Sequence, residues 1–156
     1  MEKSYRRTLK YLGLLIAAVL VAAAPFFASV TSSINSNGSL IVAFDEKGLG
    51  NGDILYTVQA SASASFICCN KGKHQPAASN KATEASVGAA TAIPAPKNGR
   101  IRAAITAGVT TPEFCPSGQD EVLANVKYVS ITIIDLTNSV TSSPPDVSLP
   151  APITCS

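Results

Sequence analysis

From Ile54 to Phe66 the chain alternates over thirteen residues, and this stretch limits the fold more than any other. Ile54, Tyr56, Val58, Ala60, Ala62, Ala64 and Phe66 share one parity; Thr57, Gln59, Ser61, Ser63 and Ser65 take the other. Alanine tolerates a helix, but a period of two puts successive side chains on opposite faces of a strand and overrides that propensity. Small inward alanines imply close packing from the opposite side, and the Ser/Thr side reads as a solvated sheet face. The strand then runs into Cys68, Cys69 and the polar loop Asn70 to Lys81.

Other segments fit the same pattern. Leu40 to Phe44 is a short buried strand, and the Gly-rich Asp45 to Asp53 has hairpin-loop chemistry. Glu84 to Ile93 and Ile101 to Val109 alternate around a Lys97-Asn98-Gly99 turn and read as a second hairpin. Val122 to Leu136 switches parity after Tyr128, which requires either a β-bulge or a central strand covered on both faces. Asp146 to Cys155 contains Pro150 and Pro152 and can form at best an edge strand. Beyond the N-terminus no amphipathic helix longer than two turns can be drawn. The expectation is an all-β, antiparallel β-sandwich of immunoglobulin-like size over residues 40–156.

The N-terminus differs from this. Lys3, Arg6, Arg7 and Lys10 precede Leu12 to Phe27, which carries no charge and no hydrogen-bonding side chain. This is the pattern of a secretory signal over residues 1–28, with residues 29–39 as a Ser/Asn-rich linker. Left uncleaved, residues 12–27 would be an apolar helix tethering the protein to a membrane. Cleavage after Ala24 would leave Pro25 at the new terminus; cleavage after Ala28 puts the bulky Phe26 just upstream. Removing residues 1–28 takes away four of the twelve basic residues and one of the ten acidic ones, leaving a net charge of about −1. No clustered Lys/Arg remains, so a nucleic-acid partner is set aside. All four cysteines, Cys68, Cys69, Cys115 and Cys155, lie beyond the signal. An even count in a small exported chain indicates disulfides, with three possible pairings.

Several short motifs occur together: the long strand into Cys68 with Asn70 and Gly72, Pro76-Ala77-Ala78 before Asn80-Lys81, Phe114-Cys115-Pro116-Ser117-Gly118-Gln119, and Leu123-Ala124 through Tyr128 to Asp135, Thr137 and Asn138. Their order and spacing resemble a group of uncharacterised small secreted β-domain proteins of filamentous soil bacteria. The resemblance spans Leu40 to Asn138 and implies a secreted β domain with a Cys68–Cys115 disulfide; it transfers no activity. Cys69, Cys155 and the Pro-rich tail depart from that pattern. Parity adds an independent constraint: Cys68 points inward with Phe66, and Cys69 points to the other face. A bond between these neighbours would strain the intervening peptide. The expected pairs are therefore Cys68–Cys115 and Cys69–Cys155.

The candidate binding residues are Lys71, Lys73, His74 and Lys81, a basic loop suited to an anionic surface, glycan or protein, although a solvated connection would have the same polarity. Cys69 and His74 could be written as nucleophile and base, but an oxidising compartment favours bridging of the cysteine. His74 is the only histidine, which leaves no second imidazole for a metal or Ser-His site. Asp45, Glu46, Asn51 and Asp53 could offer oxygens to calcium, yet their composition is what a turn needs. Glu113, Asp120 and Glu121 have no sequence-visible partner across a cleft. The expectation is a secreted, extracellular, non-enzymatic binding protein without a cofactor. The alternative is a self-associating cell-envelope component using its Ser/Thr face and strand edges.

Overall fold

The structure, a computed structural model, describes residues 23–70, 81–94, 96, 98–110, 113–149 and 155; for residues 81–84 it describes the backbone alone. The apolar segment 12–22 and the loop residues Lys71, Lys73 and His74 lie outside the described residues.

Among the described residues eight strands form two antiparallel sheets, and no helix occurs. They are β1 (Phe26–Ile34), β2 (Leu40–Lys47), β3 (Ile54–Asn70), β4 (Lys81–Ile93), β5 (Arg100–Ala107), β6 (Gln119–Asp135), β7 (Val140–Ser142) and β8 (Val147–Ser148). The smaller sheet has the order β1-β2-β5; the larger runs β4-β3-β6-β7, with β8 also paired to β6. The two sheets enclose one core, in which Leu40, Val42 and Phe44 of β2 and Ile101 and Ile105 of β5 meet Tyr56, Val58 and Phe66 of β3 and Val126, Tyr128, Ile131 and Ile133 of β6. This is the sandwich that the alternation predicts.

Strand β3 keeps its alternation, with Ile54 through Ala64 buried on even numbers. Its seventeen residues span roughly 55 Å at about 3.3 Å each. The parity switch in β6 is a bulge: Gln59 faces Thr132 and Ser61 faces Val129, so β6 carries one extra residue there. Ser130 supplies it with φ of 54°, and its N–H is accepted by Asp146 Oδ1 at 3.0 Å. A second shift, opposite Ser65 and Phe66, returns Leu123 to the core side and turns Ala124 outward.

Three expectations are corrected. Residues 29–39 are not a linker: most form β1, paired with β2 through Ser29↔Asp45 to Ile34↔Leu40. Serines in this stretch alternate with Val30 and Ile34, which pack against the core. Asp45 to Asp53 is not a hairpin loop, because Asp45 and Glu46 belong to β2 and β3 lies in the other sheet. Likewise β4 and β5 do not form a hairpin: β4 pairs with β3, β5 with β2. Alternation sets which face a residue occupies; it does not choose the partner strand. The two crossings lie side by side, with the Leu49 N–H donating to the Gly99 carbonyl at 3.1 Å. Gly99 has φ of 63°, and a Cβ there would meet the Leu49 carbonyl oxygen at 3.0 Å.

The β1–β2 turn is tied to the larger sheet by Tyr128, whose buried hydroxyl donates to the Gly38 carbonyl at 2.7 Å. Tyr128→Phe leaves that buried carbonyl unpaired and is expected to cost about 1–3 kcal/mol by urea denaturation. A variant within a few tenths of wild type would show that water replaces the hydroxyl.

Candidate functional site

The disulfide end of the sandwich is built from the last residues of β3. Cys68 bonds Cys115 and Cys69 bonds Cys155, with a Cα–Cα separation of 5.6 Å in each pair. Both pairings agree with the sequence expectation, and no free cysteine remains. Neighbouring cysteines on opposite faces pin different segments: Cys68 holds the loop before β6, and Cys69 holds the C-terminal segment. On the outer face Ile67, Cys69 and Ala124 form a small second core, joined by Val122 and Cys155.

Further bonds rigidify this end. Gln119 Nε2 donates to Asn70 Oδ1 at 2.9 Å, bridging the start of β6 to the end of β3. Glu121 Oε1 accepts the N–H groups of Phe114 and Cys115, the latter at 2.9 Å. Glu121, an acid/base candidate in the sequence, is thus engaged with the Cys115 loop. β3 pairs with β4 from Phe66↔Lys81 to Ile54↔Ile93, and residues 71–80, which separate the two strands in the chain, follow the disulfide cysteines and Asn70 in sequence. Lys81 is the first residue of β4.

The opposite end holds a feature the sequence reading passed over. Among the described residues Glu46 and Asp135 are the buried charged ones, and both are fully inaccessible. Tyr56, in register with Asp135, donates its hydroxyl to Glu46 Oε2 at 2.7 Å. Asp135 also organises the β6–β7 turn. Its Oδ1 accepts the N–H groups of Thr137 at 2.8 Å and Asn138 at 2.9 Å, and its Oδ2 accepts Asn138 Nδ2 at 2.6 Å. Both carboxyl oxygens of Asp135 are thus hydrogen-bonded, whereas Glu46 Oε1 has no hydrogen-bond partner. Burial pushes the Glu46 carboxyl up to about 7; the Tyr56 hydroxyl opposes the rise, and the neighbouring Asp135 charge adds to it. Burial also raises the Tyr56 phenol.

A raised carboxyl within a cleft would suggest acid/base chemistry. Here Glu46, Tyr56 and Asp135 are all fully inaccessible, and the Phe27 and Phe44 rings pack against Tyr56. Parity could have revealed the cluster: Glu46 continues Leu40, Val42 and Phe44, and Asp135 continues Ile131 and Ile133.

Asp45 faces the other way. Arg100 contacts both of its carboxylate oxygens, through Nε at 2.7 Å and through Nη2, while Arg102 Nε lies at 3.2 Å. The Arg100 hydrogen bonds hold Asp45 well below the usual carboxylate range. Asp45 and Glu46 therefore do not converge on a cation, and no cluster of metal-ligating residues occurs among the described residues.

No protein-family model matches the chain, and no curated protein matches it significantly. The geometry therefore carries the functional reading.

The Glu46 shift has a definite sign. The folded state holds this proton more tightly than the unfolded chain, whose carboxyl titrates near its ordinary 4.5. Its contribution is complete below about 4.5 and is lost as pH rises through about 7, by up to about 3 kcal/mol. Glu46→Gln should flatten that slope in denaturation measured from pH 5 to 8. An unchanged slope would assign the pH dependence elsewhere.

Proposed function

We propose that the protein is exported and acts as a non-enzymatic binding module, presenting residues 71–81 to an anionic extracellular or cell-surface partner. The observation that carries this reading is the convergence of both disulfides on Cys68 and Cys69, at the base of the β3–β4 connection. A short connection anchored on a rigid sheet is ordered at little further entropic cost when it meets a partner. Lys71, Lys73, His74 and Lys81 supply the basic character. The resemblance to small secreted proteins of soil bacteria points the same way.

Export also fits the pairing of all four cysteines, since disulfides persist in oxidising compartments. It restricts the signal cut. Phe27 packs edge-on against Phe44, with ring centroids 5.8 Å apart, and Phe26 pairs with Lys47. Cleavage after Ala28 would remove both aromatics from β1. N-terminal sequencing of exported protein should therefore begin upstream of Phe26; a terminus at Ser29 would contradict this.

Replacing Lys71, Lys73, His74 and Lys81 together with alanine should leave both disulfides and the thermal midpoint unchanged. Retention on an immobilised polyanionic glycan at low salt should fall to the level of a non-binding control. Retention equal to wild type would make residues 71–81 a simple connection.

A further inference from the structure

We infer that β4 is an association edge, through which two copies of this chain pair antiparallel about a two-fold axis at Val87 and join their larger sheets. A strand edge presents unpaired N–H and C=O groups, and natural proteins block such edges with charge, proline, bulges or short length. Every other edge among the described residues has such a block. β7 and β8 span three and two residues. β1 is bulged between Phe27 and Ser29, and its Ser32 hydroxyl donates to the Pro145 carbonyl beside the larger sheet. β5 carries Arg100 and Arg102.

β4 carries charge only at its start, Lys81 and Glu84, and lacks these features beyond it. It ends the larger sheet, and its thirteen residues pair with β3 without a register shift. From Ala85 to Ile93 it contains no charged residue and no proline. Its outward positions, Ser86, Gly88, Ala90 and Ala92, are small and exposed. On the core side Val87 is buried, but Ala89, Thr91 and Ile93 are only half-buried and Ala85 is exposed. The sandwich is thus left incompletely closed along this strand.

The sequence of β4 fits a second copy of itself. A two-fold at Val87 sets Ala82 opposite Ala92, Thr83 opposite Thr91, Ala85 opposite Ala89 and Ser86 opposite Gly88. Lys81 falls opposite Ile93 and Glu84 opposite Ala90, so no like charges meet. All thirteen residues are used, and two half-covered core faces become continuous. A net charge of about −1 on residues 29–156 offers little long-range repulsion between copies.

The test uses the oxidised, exported chain in sedimentation velocity from about 5 to about 500 µM, where a weak dimer becomes populated by mass action. The expected result is a monomer–dimer shift, with amide exchange slowed in residues 81–93 at the upper concentration. Ser86→Glu/Ala90→Glu places like charge on exposed positions of the seam, with residue 90 directly opposite Glu84 of the second copy, and should weaken association at least about tenfold. Its melting curve checks that the fold is kept; were it unfolded, the wild-type exchange map still decides. A monomer at every concentration overturns the inference. So does a dimer protected elsewhere, one unaffected by the two glutamates, or strand addition only by an added peptide.

Discussion

The pairing of β3 with its two neighbours is the constraint from which the rest of the molecule follows. One strand of seventeen residues forms the spine of the larger sheet, held by β4 over thirteen register pairs and by β6 along almost its whole length. Its inward side carries Ile54, Tyr56, Val58, Phe66 and the three alanines Ala60, Ala62 and Ala64, all buried in the core between the sheets. The core holds only a few aromatic side chains, of which Tyr56, Phe66 and Tyr128 are fully buried. At roughly 25 cal/mol per Å² of apolar surface, alanines stabilise a core much less than leucines do. The disulfides at one end of β3 offset this by restricting the unfolded chain across separations of 47 and 86 residues.

Much of this was legible from period-two alternation. The strand class, the inward face of β3 and the parity switch in β6 follow from asking which side each residue occupies; the same question excludes a Cys68–Cys69 bond, and the resemblance implies Cys68–Cys115. What stayed hidden depends on partner choice. Nothing in Glu84 to Ile93 says that it pairs with β3 across the 71–80 connection rather than with β5 across the Asn98-Gly99 turn. That choice is made by thirteen cross-strand pairs acting together. β1 was obscured for another reason: its serines resemble linker composition, and its first residues, Phe26 and Phe27, belong equally to an apolar export signal.

The binding candidates fared differently from the cysteines. Cys68 and Cys115 are joined as the resemblance implied, and Cys69 and Cys155 as expected once parity set the neighbouring cysteines on opposite faces. The basic residues of 71–81 gain support only from the position of their anchors. Of the carboxylates, Glu121 engages the backbone of the Cys115 loop, and the strongly shifted acid is Glu46, which sequence reading had assigned to a turn. Its glycine-rich sequel, Gly48 to Gly52, carries turn composition right up to the end of the strand. The boundary lies at Lys47 because Glu46 still faces the core and still pairs with Ile101.

Two pairs of neighbours show how far a single peptide step separates chemical fates in a sheet. Asp45 and Glu46 carry the same functional group, yet one accepts two arginines on the surface and the other holds its proton in the core. Their pH dependences oppose each other. The Asp45 contribution is present above its ordinary 3.8 and fades only in acid, whereas the Glu46 contribution is present in acid and fades toward neutrality. Cys68 and Cys69 divide in the same way at the far end of the sandwich. One reaches the loop before β6, and the other reaches the C-terminal segment across the outer face. Each end of the molecule is therefore tied on both faces of a sheet by adjacent residues, which a helix, placing neighbours about 100° apart, could not do.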